Sequence, residues 1–239
     1  MFLDKLCKTN PNLIQTAVHM HQKKQIMPDT FVVDVDQFIA NAKVILQKAN
    51  EQNIELYYML KQIGRNPYLA TELERIGYKG AVVVDFKEAE VMMKNHLHIA
   101  HAGHLVQIPS MMVNQLVEYG CDYITVYSYE KLVEVNEAAK KVGISQKICV
   151  RVIGENDRIY SGQTAGFYLD QLEELVQKAK DLTHIEIAGV DNFPCFLYDE
   201  TTKQIEAQEN LFTVLKAKKI FEGLGCRIQN VNAPSATCV

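Results

Sequence analysis

The stretch DYITVYSYEKLVEVNEAAKKVGISQKICVRVI, residues 122–153, reads as a single strand–helix–strand unit. DYITVY (122–127) and KICVRVI (147–153) are of strand length and rich in β-branched and aromatic residues. Between them, Tyr129 to Val142 carries apolar residues at three- and four-residue intervals, the spacing of an amphipathic helix. Gly143 then stands where a left-handed residue ends such a helix. Two strands joined in this way lie parallel, because a right-handed crossover packs the helix back onto the sheet.

Outward from this unit the same alternation repeats. FVVDV (31–35), IELYYML (54–60), GAVVV (80–84), HIA (98–100), HIEIAGV (184–190) and RIQNVN (227–232) are further strand candidates. Phe38 to Ala49, Pro67 to Ile76, Lys87 to Lys94, Met111 to Tyr119, Leu169 to Ala179 and Leu211 to Leu224 are further helices. The alternation predicts an α/β fold with a parallel sheet, and either a barrel or an open sheet satisfies it. Asn12 to about Gln25 has Leu13, Ala17 and Met20 at helical spacing, with Pro28 as a stop, and falls outside the repeat. The chain therefore divides into an N-terminal helical extension (1–30) and a barrel domain (31–239). In this architecture function collects where strand C-termini open into loops. Those places are Lys61 with Gly64 and Arg65, His101 to Gln107, Ser128, Arg151 to Arg158, Asp191 to Cys195, and Asn232 to Thr237.

Composition narrows the function classes. Of 239 residues, 48% are hydrophobic and 23% charged, which suits an ordinary soluble protein with a sizeable core. A net charge of −4 and a pI near 6.0 give no basic field for a phosphate backbone, so a small-molecule ligand is expected and nucleic acid is not. The six cysteines (Cys7, Cys121, Cys149, Cys195, Cys226 and Cys238) are scattered without a CxxC pair and read as reduced thiols. The N-terminus lacks a basic, then apolar, leader, and no apolar run approaches the ~18 residues that span a bilayer. No membrane association and a cytoplasmic location are expected.

The segments FVVDVDQFIANAK (31–43), IELYYMLKQIGRNPYLA (54–70), ICVRVIGENDR (148–158), IAGVDNFPCF (187–196) and NVNAPSAT (230–237) occur in the order and spacing of fold-type III pyridoxal 5′-phosphate (PLP) proteins. The chain resembles the YhfX family of alanine-racemase-like proteins from about residue 3 onward. The resemblance implies a TIM-like (β/α) barrel of the alanine racemase N-terminal type, incomplete at its C-terminus, with PLP as cofactor. In the family the strand matching FVVDV lies with a second, β-rich domain, so seven barrel strands remain here. The eighth strand, which presents the partner of the pyridine nitrogen, and the C-terminal β-domain are missing on that mapping. We therefore expect an N-terminal piece of a longer protein, one that associates with a second copy as a homodimer.

The resemblance also assigns residues. Lys61, after the strand IELYYML, is the Schiff-base lysine; a lysine desolvated beside a carbonyl ligand loses its proton and condenses readily, whereas without the resemblance a snorkelling side chain at a strand end is the favoured reading. NAPSAT corresponds to the loop that grips the PLP phosphate, through Asn232, Ser235 and Thr237 with Ala236 contributing backbone. As a bare string it is also an ordinary turn around Pro234. Arg65 stands where the racemase has a phosphate-contacting tyrosine and is either a bidentate phosphate ligand or a surface charge. RVIGENDR matches a stretch ending in an arginine near the cofactor phenolate, nominating Arg158 first and Arg151 second. Asn192 occupies the place of a ring-facing histidine; an amide does not exchange protons near neutral pH, so packing against the cofactor is its expected role. Asp191 is a neighbouring polar contact or a helix cap.

HLHIAHAGHLVQ holds four of the seven histidines: His96, His98, His101 and His104. No acidic partner lies within the segment, and only His101 and His104 fall near the strand C-terminus, so no metal site is assigned. GHLVQ resembles a loop bordering the cofactor in barrel-only PLP-binding relatives, which nominates His104 as a cofactor or substrate contact. The leading expectation is an amino-acid racemase-like isomerase that acts at Cα of an amino acid or amine through a Lys61 aldimine. A non-catalytic PLP-binding or homeostasis protein is the alternative. A metal-dependent barrel hydrolase using the histidines comes third.

Overall fold

A computed structural model describes residues 2–234. The chain forms two compact units: one runs to Leu56 and includes Glu72–Tyr78, the other comprises Tyr57–Thr71 and the chain from Lys79 onward.

The first unit contains α1 (Phe2–Thr9), α2 (Pro11–Gln22) and α3 (Val35–Glu51). Asn10 starts α2 by accepting from the Leu13 N–H at 3.2 Å, and Pro11 follows where a missing N–H costs nothing. Its amide also donates to Asp34 Oδ2 at 2.7 Å. Asp34 in turn accepts from the Gln37 N–H at 3.0 Å and starts α3. This corrects the strand expected at FVVDV: residues 31–34 form none, and Val35 is already helical. Three β-formers in a row are a weak preference, and the Asp34 carboxylate capping the donors of the next turn overrides it. Those hydrogen bonds, the Gln37 one foremost, hold the Asp34 carboxyl below its ordinary value. The helix α4 (Pro67–Ile76) follows.

The second unit is built on a parallel sheet. Its strands are β1 (Ala81–Val83), β2 (Ile99–Ala102), β3 (Tyr123–Val126), β4 (Gln146–Ile153), β5 (Phe167–Tyr168) and β6 (Ile185–Asp191). An antiparallel hairpin, β7 (Phe196–Asp199) with β8 (Gln204–Ala207), precedes the last strand β9 (Asn230–Asn232). The helices α5 (Phe86–Lys94), α6 (Ser110–Tyr119), α7 (Tyr129–Val142), α8 (Leu172–Ala179) and α9 (Glu209–Gly223) fall between strands. The order β1-β2-β3-β4-β6-β9 follows the chain, all pairs being parallel, and β5 pairs with the end of β4. IELYYML contributes a single bridge, Tyr58 to Ala81, beside β1.

The sheet is curled. The Tyr57 hydroxyl, beside β1, accepts a hydrogen bond from Asn230 Nδ2 of β9 at 3.1 Å, although four strands separate β1 from β9 in the sheet order. A flat sheet would hold those residues about 29 Å apart, six steps of roughly 4.8 Å. The α/β architecture is thus the incomplete barrel that the family resemblance implies, with seven strand positions counting the Tyr58 bridge and no pairing between first and last among the described residues.

Side-chain alternation sorts the residues of each strand. On β4, Ile148, Val150 and Val152 are buried, as are Leu132, Val135 and Ala139 on α7, all at about 0% exposure. Burying each such Leu, Val or Ile is worth about 1.5–3 kcal/mol, and the helix spacing exists to supply that face. Gly143, at φ 76°, terminates α7 and turns the chain into β4. On the opposite, concave face Cys149 and Arg151 of β4 join His101, Thr125, Asp191 and Asn232 from the neighbouring strands.

Candidate functional site

Five of the parallel strands each deliver one polar side chain to the concave face near their C-terminal ends. These are His101 from β2, Thr125 from β3, Arg151 from β4, Asp191 from β6 and Asn232 from β9. The first four are at most 2% exposed. His104 joins them from the loop after β2, also 2% exposed. Gly103, at φ 89°, makes that approach possible: a Cβ there would lie 2.9 Å from the Thr125 carbonyl oxygen. The Tyr127 hydroxyl fixes the same loop by donating to the carbonyls of Gly103 (2.7 Å) and His104 (2.6 Å).

Asp191 is the hub. His104 Nδ1 lies 2.9 and 3.1 Å from its two oxygens, Asn232 Nδ2 donates to Oδ1 at 3.0 Å, and Arg151 Nη1 stands 3.9 Å from Oδ2. Burial alone would raise this carboxyl. The charge and hydrogen bond of His104, with the Arg151 guanidinium, outweigh it and hold the group below its ordinary value. His101 behaves oppositely: burial pushes it down to about 4, so the ring is neutral near pH 7. Its Nε2 bonds Thr125 Oγ1, and Asn232 Nδ2 lies 3.3 Å from its Nδ1. Burial, reinforced by the Asp191 charge, also raises the Tyr127 phenol.

Arg151 is incompletely matched. Its Nη2 donates to the Phe193 carbonyl at 3.3 Å, while Nε and Nη1 have no hydrogen-bond acceptor among the described residues. A buried donor left in this way costs about 1–3 kcal/mol, and a guanidinium offering free N–H groups suits an anionic oxygen.

A second buried network lies beside it. Asn192 Nδ2 donates to Asp157 Oδ2 (2.6 Å), and Asn192 Oδ1 accepts from the Phe193 N–H (2.7 Å) and Asn210 Nδ2 (3.0 Å). Asp157 also accepts from the Gly154 N–H and from Thr213 Oγ1, both at 2.7 Å. Asn210 pins the Arg158 backbone at both its N–H (2.9 Å) and its carbonyl (3.0 Å).

The predicted residues are thus distributed unevenly. His104, Arg151 and Asn232 come together; Asn192 is buried beside them with its amide engaged by the protein. Arg158 is exposed. Lys61 is exposed at the start of a 3-10 turn, Lys61–Ile63, that follows the Tyr58 bridge at the same end of the sheet. Arg65 ion-pairs with Asp85 at 2.8 Å instead of standing free. Ser235, Ala236 and Thr237 lie outside the described residues. His98 pairs with Asp122 at 2.7 Å before β2, and no group of three or more His, Cys, Asp or Glu among the described residues could hold a metal ion.

Sequence reasoning passed over Glu88. Fully buried, it accepts from the N–H of Leu60 (2.8 Å) and of Val84 (2.9 Å), tying the residue before Lys61 to the end of β1. One signal was available: Glu88 falls four residues before Met92, on the apolar stripe of α5. Thr125 carried no signal of its own.

A family model described as alanine racemase, N-terminal domain, matches residues 33–237. The chain belongs to this family. Within it, the chain is 43% identical over 237 residues to the uncharacterized protein YhfX of Escherichia coli (strain K12), covering 99% of this chain and 61% of that relative. The chain therefore spans about three-fifths of the relative's length. Solved structures with the same fold include diaminopimelate decarboxylase from Helicobacter pylori complexed with L-lysine, with a TM-score of 0.68, 18% identity, and coverage of 88% of this chain and 55% of that one. Alanine racemase from Clostridium difficile 630 gives a TM-score of 0.64, 18% identity, and coverage of 85% and 54%. The architecture is accordingly that of the alanine racemase N-terminal barrel, and the expected resemblance to YhfX is borne out. Among the described residues no helix is long and apolar enough to cross a membrane.

Proposed function

We propose that this chain binds PLP at the C-terminal ends of its strands through Lys61 and acts at Cα of an amino acid or amine. The observation that carries the reading is Arg151: a buried guanidinium with two uncommitted N–H groups among the described residues, at the strand ends where this fold places its chemistry. Together with Lys61 at the same end of the sheet and the NAPSAT motif that begins at the end of β9, it suits an anionic, aldehyde-bearing ligand. PLP, when bound, supplies an electron sink for charge developing at Cα.

The chain's own residues do the rest. Lys61 offers the amine that holds the cofactor, and Glu88 fixes the backbone immediately before it. Ser235, Ala236 and Thr237 hold the phosphate, following Asn232, whose amide is engaged by Asp191 and His101, and Arg65 near the lysine turn serves as a second cation. Arg151 takes an anionic oxygen of cofactor or substrate; Arg158, whose backbone Asn210 anchors, borders the same loop. Asn192 orders the wall beneath, and His104 faces the reaction. A second copy of the chain is the expected partner.

Incubation with PLP, borohydride reduction and peptide mapping tests the reading: the reduced cofactor's mass is expected on Lys61 and absent in Lys61→Ala. Its appearance on another lysine overturns the assignment. A panel of L- and D-amino acids in heavy water separates turnover from storage, since deuterium at Cα requires an enzyme.

A further inference from the structure

The three polar groups around Asp191 allow a proton count. Asn232 Nδ2 has two protons. One goes to Asp191 Oδ1 at 3.0 Å, and the other to His101 Nδ1 at 3.3 Å. His101 therefore accepts at Nδ1 and, being neutral, carries its proton on Nε2, which donates to Thr125 Oγ1. Asp191, a carboxylate, only accepts, so the His104 nitrogen 2.9 Å from it carries a proton. The 3.1 Å approach of Asn232 Nδ2 to His104 Nδ1 is then donor beside donor, both drawn to one carboxylate.

The count leaves His104 Nε2 as the variable atom, with a lone pair on the neutral ring and a proton on the charged one. No hydrogen bond engages it among the described residues. Arg151 flanks the same carboxylate from the other side, 3.9 Å from Oδ2, with its free N–H groups. A ligand carboxylate held by Arg151 would thus lie next to the His104 ring. The ring is packed edge-on against Phe193, with centroids 5.6 Å apart, so its orientation is set by packing as well as by Asp191.

We propose that His104, its Nδ1–H held by Asp191, uses Nε2 as the proton-transfer group of this site toward the Cα of a substrate carrying a carboxylate. The Cα–H bond breaks, its proton passes to Nε2, and the electron pair stays on the substrate; return of a proton from Nε2 restores the bond and the free nitrogen. Asp191 is a positioning residue: its carboxylate selects the tautomer and holds the ring, the division of labour between imidazole and carboxylate in other proton-transferring sites. The proposal rests on the PLP reading above and deepens it by naming the residue that handles the proton.

Two measurements on the full chain decide it. Long-range ¹H–¹⁵N spectra of the PLP-free wild type should show His104 protonated at Nδ1 and His101 at Nε2, and Asp191→Asn should shift His104 toward the other tautomer. A bare Nδ1 on His104 overturns the proposal without reference to any cofactor. With PLP bound, His104→Gln should lower Cα deuterium exchange about 100-fold or more, the usual contribution of a general acid or base, while borohydride-fixed PLP on Lys61 stays at the wild-type level. Undiminished exchange in a loaded His104→Gln variant overturns the proposal alone. Failure of the wild type to take up PLP overturns the reading of the site and the proposal with it.

Discussion

Two buried polar networks lie side by side at the ends of β4 and β6, and they differ in one respect. Around Asn192, Asp157 and Asn210, the amide and carboxylate groups find protein partners, and the network's product is a pinned loop at residues 154–158. Around Asp191, the protein leaves Arg151 Nε and Nη1 unanswered. Satisfied polar networks rigidify, whereas buried orphaned donors single out a place to test for ligand binding. The difference separates scaffold from site more sharply than burial does, since Asn192 and Asp191 are both 0% exposed.

The largest test of this contrast is Asp191→Ala. It leaves the Arg151 guanidinium buried without a counter-charge and should cost about 3–5 kcal/mol of stability, read from urea unfolding. Next comes pH. His101 is held near 4, below its unfolded value of 6.5, so between those values the unfolded chain binds the extra proton. Stability should fall by on the order of 3 kcal/mol as pH drops from 6.5 to 4, and His101→Gln should flatten that slope. Asp191 acts further down: its lowered carboxyl stabilises the fold above the ordinary carboxylate value, and that contribution is lost as pH falls through its folded value.

A paired comparison sharpens the two networks directly. Asn210→Ala should cost about 1–3 kcal/mol, through stranded partners, and leave PLP uptake unchanged. Arg151→Met should cost about 1–3 kcal/mol, since Asp191 loses one counter-charge but keeps its hydrogen bonds to His104 and Asn232, while weakening PLP or substrate binding at least tenfold. Equal effects on binding from both variants would erase the distinction. The smallest expected effect is Arg65→Gln: its pair with Asp85 is partly solvated and should contribute under about 1 kcal/mol in thermal unfolding.

Residues 122–153 show why much of the fold was legible. A strand buried on both faces and a helix buried on one leave distinct hydrophobic periods, and β3, α7 and β4 fall where those periods place them. FVVDV failed because a capping carboxylate outweighed β-propensity. The hairpin β7–β8 left no trace because β8 is exposed throughout, so no burial pattern marked it. At the site, the resemblance of RVIGENDR put Arg158 ahead of Arg151, whereas the structure buries Arg151 and exposes Arg158.

The amino-acid order alone determined the parallel α/β class, the family, and the loops where chemistry collects, because each depends on local periodicity or on short motifs. Which arginine is orphaned, which histidine meets the carboxylate, and that Glu88 holds the lysine-bearing turn were decided only by the curling of the sheet. The contacts involved join residues as far apart as Asn232 and His101, and hydrogen-bond partners at such separations leave no local signature.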